Sequence, residues 1–412
     1  MPPVQGIDSL DLNAPGDAGS AAAAAEELKA LESDPAVLPF PPFTNDVRRG
    51  GVVALEYSRK EDLIAAGFEN SNIIVWSANT RRVLYELRDI EHTDYVCALA
   101  FSPDAMQLAA GYRDSVVIVW DLTTGDRLVT LTDHQGFVNC VMFSPDGQTL
   151  ATAAVDATVK LWDTNTWTQR ASTTDHDALI LVVVFSPDGS RIVSGAADGV
   201  ARLWDVTDAS VLHTMQGHEG VIYEVAFSPD GHRLITSSDD GRAKVWSADS
   251  GEEYMFSEHA GSVWMAVFSA DGKRVLSVSS EGTVKVADSY SADVLGIIHG
   301  GSEFASAPTL SADGRYVAAG GEDYLLSIWN TETGKRVSIL RGHMDIVTRV
   351  CFSPDNERVV SAADDGRVRM WRISDFPAPP EPEHSEIDEL DEAQETEEDS
   401  ADEDMEESES TE

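Results

Sequence analysis

Three side-chain types able to share a proton recur in this chain at constant spacing. Histidine stands at His134, His176, His218 and His343. Eighteen residues later comes a hydroxyl, Thr152, Ser194, Thr236 or Ser361, and four residues after that a carboxylate, Asp156, Asp198, Asp240 or Asp365. One such set would suggest acyl transfer, with the hydroxyl as nucleophile and the histidine as base. A catalytic triad is needed once, beside an oxyanion hole, whereas this set occurs four times in full. Each full set is followed six residues on by a tryptophan: Trp162, Trp204, Trp246 and Trp371. A hydrogen-bonded chain explains the four residue types together. The carboxylate accepts from the imidazole, the imidazole accepts from the hydroxyl, and the hydroxyl oxygen accepts from the indole N–H. No member is left buried without a partner, so the reading is structural, not catalytic.

The elements that must hold these residues follow from the tryptophan spacing. The slots are Trp76, Trp120, Trp162, Trp204, Trp246, Ala287, Trp329 and Trp371, separated by 44, 42, 42, 42, 41, 42 and 42 residues. A period in that range marks one supersecondary unit copied around a ring or along a solenoid. The fifth copy shows the unit. Val221–Phe227 reads as a strand, Ser228-Pro229-Asp230-Gly231 as a turn, and Arg233–Ser237 as a second strand. Asp239-Asp240-Gly241 turns into a third strand, Ala243–Trp246, and a fourth lies near Glu253–Ser257. Pro presets φ, Asp bonds the local backbone, and Gly closes the turn without strain. Four-stranded units at this period describe propeller blades.

The pattern resembles the WD-repeat family. The resemblance rests on Trp120-Asp121, Trp162-Asp163 and Trp204-Asp205, on Gly217-His218 and Gly342-His343, and on the Phe-Ser-Pro-Asp turns. It implies an all-β fold, a closed WD-repeat β-propeller over residues 37–373, with a disordered N-terminal arm at 1–36 and a disordered acidic tail at 374–412. Eight repeat units is the direct count, and seven blades with one copy displaced is the alternative. Copies one, two, six and seven depart from the polar set at Arg48, Ala66, Asn70, Ala110, Glu281, Ala287, Gly301 and Ala319. They are expected to form the least stable part of the ring. The last copy lacks a fourth strand, which the segment 38–47 is expected to supply. Pro39, Pro41 and Pro42 suit only an edge strand.

The family also implies where a partner would bind. Residues around the start of each first strand, and the residue before the turn aspartate, face one rim. Carried onto this sequence, the rim candidates are Tyr95, Arg113, Phe137, Leu181, Tyr223, Asp239, Trp264, Phe304, Glu322 and Asp364. Aromatics with acidic neighbours suit a peptide carrying an apolar anchor and a basic residue. Trp264 stands out because most copies hold smaller residues in its slot.

Composition limits the remaining functions. The formal charge is −43, and residues 381–412 carry 18 acids and no base, which leaves −25 on the rest. That disfavours direct nucleic-acid binding, which needs clustered Lys and Arg. It favours protein partners with basic segments within a multi-protein complex, or simply solubility, which is the reading favoured for the tail. The longest apolar run, Ala178 to Phe185, is too short to span a bilayer, so no membrane role is expected. Three scattered cysteines, Cys97, Cys140 and Cys351, argue for a reducing, intracellular compartment, cytoplasmic or nuclear. There is no phosphate loop and no metal-ligand spacing, so no cofactor and no enzymatic activity are expected. The functional expectation is a non-catalytic protein-interaction scaffold. The alternative is a chaperone or assembly factor for basic proteins such as histones or ribosomal proteins, acting through the acidic tail.

Overall fold

Short strands rich in Val, Ile and Ala, separated by turns that need Gly or Asp, can bury themselves only by stacking sheet on sheet. The computed structural model describes residues 37–39, 50–92, 94–299, 308–331 and 335–373. It contains eight antiparallel sheets of four strands each, which we number as blades 1 to 8. Blade 5 is typical, with strands Ile222–Phe227, Arg233–Ser238, Arg242–Ser247 and Glu253–Glu258. The first strands of blades 1 to 6 lie side by side in turn, as do those of blades 7 and 8, and those of blades 8 and 1 meet at the seam, while blades 6 and 7 share the core cluster of Met265, Leu276, Val317 and Trp329. The count is eight, not seven.

Blades pack through their second strands, which are buried on both faces. Thr149–Ala154 and Arg233–Ser238 are buried at every residue. Small residues make this possible. A Cβ on Gly67 would meet Val96 of the next blade at 2.5 Å, and one on Gly195 would meet Ile222 at 2.7 Å. Any larger side chain there would push the blades apart. The core is therefore a series of clusters, each shared between blades. One joins Ala151, Val159 and Leu161 of blade 3 to Ile180, Phe185, Ile192 and Trp204 of blade 4.

The Ser-Pro-Asp turns work as expected. Ser144 Oγ donates to Asp146 at 2.5 Å and accepts from the Thr149 N–H at 3.0 Å, while Gln148 N–H donates to Asp146 at 3.0 Å. Gly147 takes φ 73°, and Ala105 and Asn356 hold the same left-handed corner at 61° and 58°.

The clasp is present and shorter than expected. The pairing strand is Val37–Pro39, antiparallel to the third strand of blade 8, with Val37 opposite Trp371 and Pro39 opposite Arg369. The rest of the expected 38–47 strand lies outside the described residues, as do the arm at 1–36 and the tail at 374–412. Side chains reinforce the seam. Thr348 Oγ1 donates to the Val52 carbonyl at 2.8 Å, and Arg358 reaches Tyr57 Oη at 3.3 Å and Asn79 Oδ1 at 2.9 Å.

Candidate functional site

A backbone irregularity shapes the rim. In blades 1 to 6 and 8 the first strand slips register against the second, for example between Ile222 and Glu224 or between Val138 and Cys140. A bulge leaves one extra residue and re-aims its side chain. The extra residues include Leu181, Tyr223 and Trp264. A second constant fixes the facing loop. The Arg113 N–H donates to the Tyr95 carbonyl at 3.0 Å, that of Val155 to Phe137 at 2.9 Å, that of Asp239 to Val221 at 2.9 Å, and that of Asp364 to Ile346 at 3.0 Å. The two chain segments that carry the rim candidates are thus hydrogen-bonded within each of these blades.

The candidates fall into distinct groups. Between blades 2 and 3 the Arg113 guanidinium lies 5.3 Å from the Tyr95 ring centroid and 4.9 Å from that of Phe137. Both rings stay exposed, at 37% and 41%. Cation–π contact holds the guanidinium while leaving the apolar faces available to a partner. Between blades 5 and 6, Asp239 accepts from the Tyr223 hydroxyl at 3.1 Å and from Ser262 Oγ at 2.7 Å. Trp264 and Leu181 are half-buried. At the seam, Asp364 has its pKa raised by burial and by Asp345, Glu69 and Asp365, with Arg349 opposing. Glu322 is exposed on blade 7, and Phe304 lies outside the described residues. Sequence reading missed Arg349 and Asp345 at the seam. It also missed Glu56 and Glu224, lone charges in first strands that otherwise read as apolar.

The repeated polar set is a buried network. In blade 3, Asp156 Oδ2 lies 2.9 Å from His134 Nδ1, His134 Nε2 lies 2.7 Å from Thr152 Oγ1, and Trp162 Nε1 donates to that oxygen at 3.0 Å. Blade 4 repeats this through Asp198, His176, Ser194 and Trp204 at 3.0, 2.7 and 2.8 Å. Blade 5 uses Asp240, His218, Thr236 and Trp246 at 2.8, 2.7 and 2.9 Å. Blade 8 uses Asp365, His343, Ser361 and Trp371 at 3.1, 2.8 and 3.0 Å. Burial lowers the pKa of all four histidines, against the pull of their aspartates. Burial works against the aspartates too, but hydrogen bonds from histidine and backbone N–H groups outweigh it and hold them ionised. Neutral histidine and ionised aspartate fix every proton in the chain. All four hydroxyls are fully buried, so no substrate carbonyl can reach them.

Incomplete copies improvise. In blade 2, Ala110 removes the hydroxyl, so the buried Trp120 N–H has no acceptor at hydrogen-bond distance and leans toward the Tyr112 hydroxyl. In blade 6, His259 bonds Ser277 at 2.7 Å and Thr283 at 3.1 Å in place of an aspartate. Burial and Lys285 then push its pKa down to about 4.

Comparison with known proteins accounts for this geometry. The WD domain, G-beta repeat model matches residues 125–163, the WD40 domain model of anaphase-promoting complex subunit 4 matches 55–143, and the first β-propeller model of IFT122 matches 179–375. The chain belongs to the WD-repeat β-propeller family. Curated WD-repeat relatives match over short stretches. WD repeat and HMG-box DNA-binding protein 1 of Xenopus laevis is 40% identical over 65 residues, 16% of this chain and 6% of that protein. GID complex subunit 7 of Schizosaccharomyces pombe is 39% identical over 66 residues, 16% and 13% of the two chains. Serine-threonine kinase receptor-associated protein of Bos taurus is 34% identical over 64 residues, 16% and 18% of the two. The match thus spans less than a fifth of each of these relatives. The crystal structure of the computationally designed Ika8 protein is similar at TM-score 0.70 and 28% identity, covering 80% of this chain and 98% of that one. Among the described residues, no helix is long and apolar enough to cross a membrane. Cys97, Cys140 and Cys351 are all free thiols.

Proposed function

We propose that this WD-repeat ring is a non-catalytic scaffold whose bulged rim holds a segment of another protein within a larger complex. The observation that carries this reading is the exposed pair Tyr95 and Phe137, braced on Arg113. Rigid aromatics flanking a fixed guanidinium are the residue types that anchor protein interfaces. Acidic groups at Asp239, Glu322 and Asp364 favour a partner segment carrying basic residues. Two relatives are named as a complex subunit and as a receptor-associated protein, which supports assembly as the role. The second reading, capture of basic proteins by the tail, rests on the 18 acids and no base in residues 381–412.

Affinity capture with mass spectrometry separates the two. It compares the full chain, a deletion of 381–412 and a Tyr95→Ala/Phe137→Ala variant of confirmed folding. Partners lost only with the rim variant support recognition on the ring. Basic partners lost only with the deletion move the function to the tail. Both readings predict that the chain itself turns over nothing.

A further inference from the structure

The first strands, in contact from blade to blade except between blades 6 and 7, surround a central bore. The positions that follow the bulge are mostly apolar, as at Ala98, Val182, Met265, Met142, Val184 and Val267. Two carboxylates break this pattern, Glu56 in blade 1 and Glu224 in blade 5, which stand across an eight-bladed ring from each other. No side chain among the described residues donates a hydrogen bond to either one, and Glu224 has only the N–H of Val225. Cys140, from blade 3, lies within electrostatic reach of both. Side chains from blades 1, 3 and 5 can share a field only across the bore.

We propose that the bore receives a basic side chain of the partner, a lysine or arginine that enters past Tyr223 and lies between Glu224 and Glu56. This deepens the rim reading and rests on it. Depth along the strands supports it. Glu224 directly follows the rim residue Tyr223, and Glu56 sits two positions deeper on its own strand, which is about 7 Å further in. A long cationic side chain covers that distance.

Other charged and titratable groups leave this path open. Arg349 holds in blade 8 the position after the bulge that Glu224 holds in blade 5, but its guanidinium donates to the Thr348 carbonyl at 2.8 Å and interacts with Asp364 and Cys97. Arg59 lies beyond Glu56 and acts on it only at a distance. The Cys140 and Cys351 thiols are held neutral by burial and add no charge. A bare metal ion suits the bore less well. Among the described residues, the one group with metal-ligand spacing is Asp89, Glu91 and His92, where Arg127 already bonds both acids. Burial drives the pKa of both bore carboxylates to about 7, with Arg59 pulling Glu56 back. A cation that enters would favour their ionised form.

The test uses butylguanidinium chloride as the probe and butylurea as its neutral counterpart. Binding to the full chain is measured by ligand-observed NMR at pH 8 and pH 5.5. The expected result is butylguanidinium binding at pH 8, at least tenfold weaker binding at pH 5.5 and in a Glu56→Gln/Glu224→Gln variant, and none for butylurea. Equal binding to the Gln variant, or no preference over butylurea, overturns the proposal. The captured partner then separates the two ideas. If the Gln variant holds it with unchanged affinity while the rim variant loses it, the bore proposal fails and the rim reading stands.

Discussion

Replacing Glu224 by Gln should stabilise the ring at alkaline pH and leave it unchanged at acid pH. Gln has nearly the same shape, so the substitution mainly removes the charge. The Glu224 pKa rises from 4.5 to about 7 because burial penalises its ionised form. The shift is 7 − 4.5, or about 2.5 units, and at about 1.36 kcal/mol per unit it sets a ceiling near 3.4 kcal/mol. Glu224 keeps some solvent exposure, which lowers that ceiling, so a gain of about 1–3 kcal/mol is expected at pH 8. The sign follows from the raised value. The stability that comes with the protonated form is fully present below pH 4.5 and is lost as pH rises through about 7. Urea unfolding followed by tryptophan fluorescence, at pH 8 and pH 4.5, measures the difference. A Gln variant that is no more stable than the parent at pH 8 would show Glu224 to be solvated or paired. Equal stabilisation at both pH values would mean that charge is not the cause.

The buried networks and the seam yield further expectations. Thr152→Val leaves His134 Nε2 and the Trp162 N–H buried without partners, which should cost about 2–4 kcal/mol in a thermal melt. A loss below about 0.5 kcal/mol would make the network incidental. Ala110→Ser should give Trp120 its missing acceptor and add about 1 kcal/mol, read as a higher melting temperature, and a lower one would mean that Tyr112 already serves. Deleting residues 1–39 removes the strand paired with Val37–Pro39's partner, 369–371, and should lower the melting temperature by several degrees. An unchanged melt would show that the clasp contributes nothing. Histidine NMR titration should place His259 at about 4 and His134, His176, His218 and His343 below 6.5. Their stabilising effect is present above pH 6.5 and is lost as pH falls through the lowered values. Ordinary titration of these imidazoles near 6.5 would contradict the network.

The repeat was legible because its constraints are local. Asp156, His134, Thr152 and Trp162 keep fixed spacing since each must reach the next within one sheet, and the observed distances match that logic. The turns were legible for the same reason, down to the Gly147 corner that Ala105 and Asn356 occupy elsewhere. The clasp was expected from a missing fourth strand, but its register depends on which residues meet Trp371, and spacing does not encode that. The rim was harder to read. Arg113 stacks on aromatics from two blades, and a one-sheet reading does not reveal that contact. Trp264 stood out by size, yet the bulge leaves it half-buried while Tyr95 and Phe137 are exposed. Glu56 and Glu224 carried a signal, a charge in an apolar strand, but only ring closure brings them to one bore.

Hydrogen–deuterium exchange on the full chain, free and bound to a captured partner segment, tests rim recognition most directly. The account predicts slowed exchange at the backbone bonds that join Arg113 to Tyr95 and Val155 to Phe137, and the loss of that protection in Tyr95→Ala/Phe137→Ala. Protection confined to the outer strands of the blades, or unchanged by the rim substitutions, would contradict it.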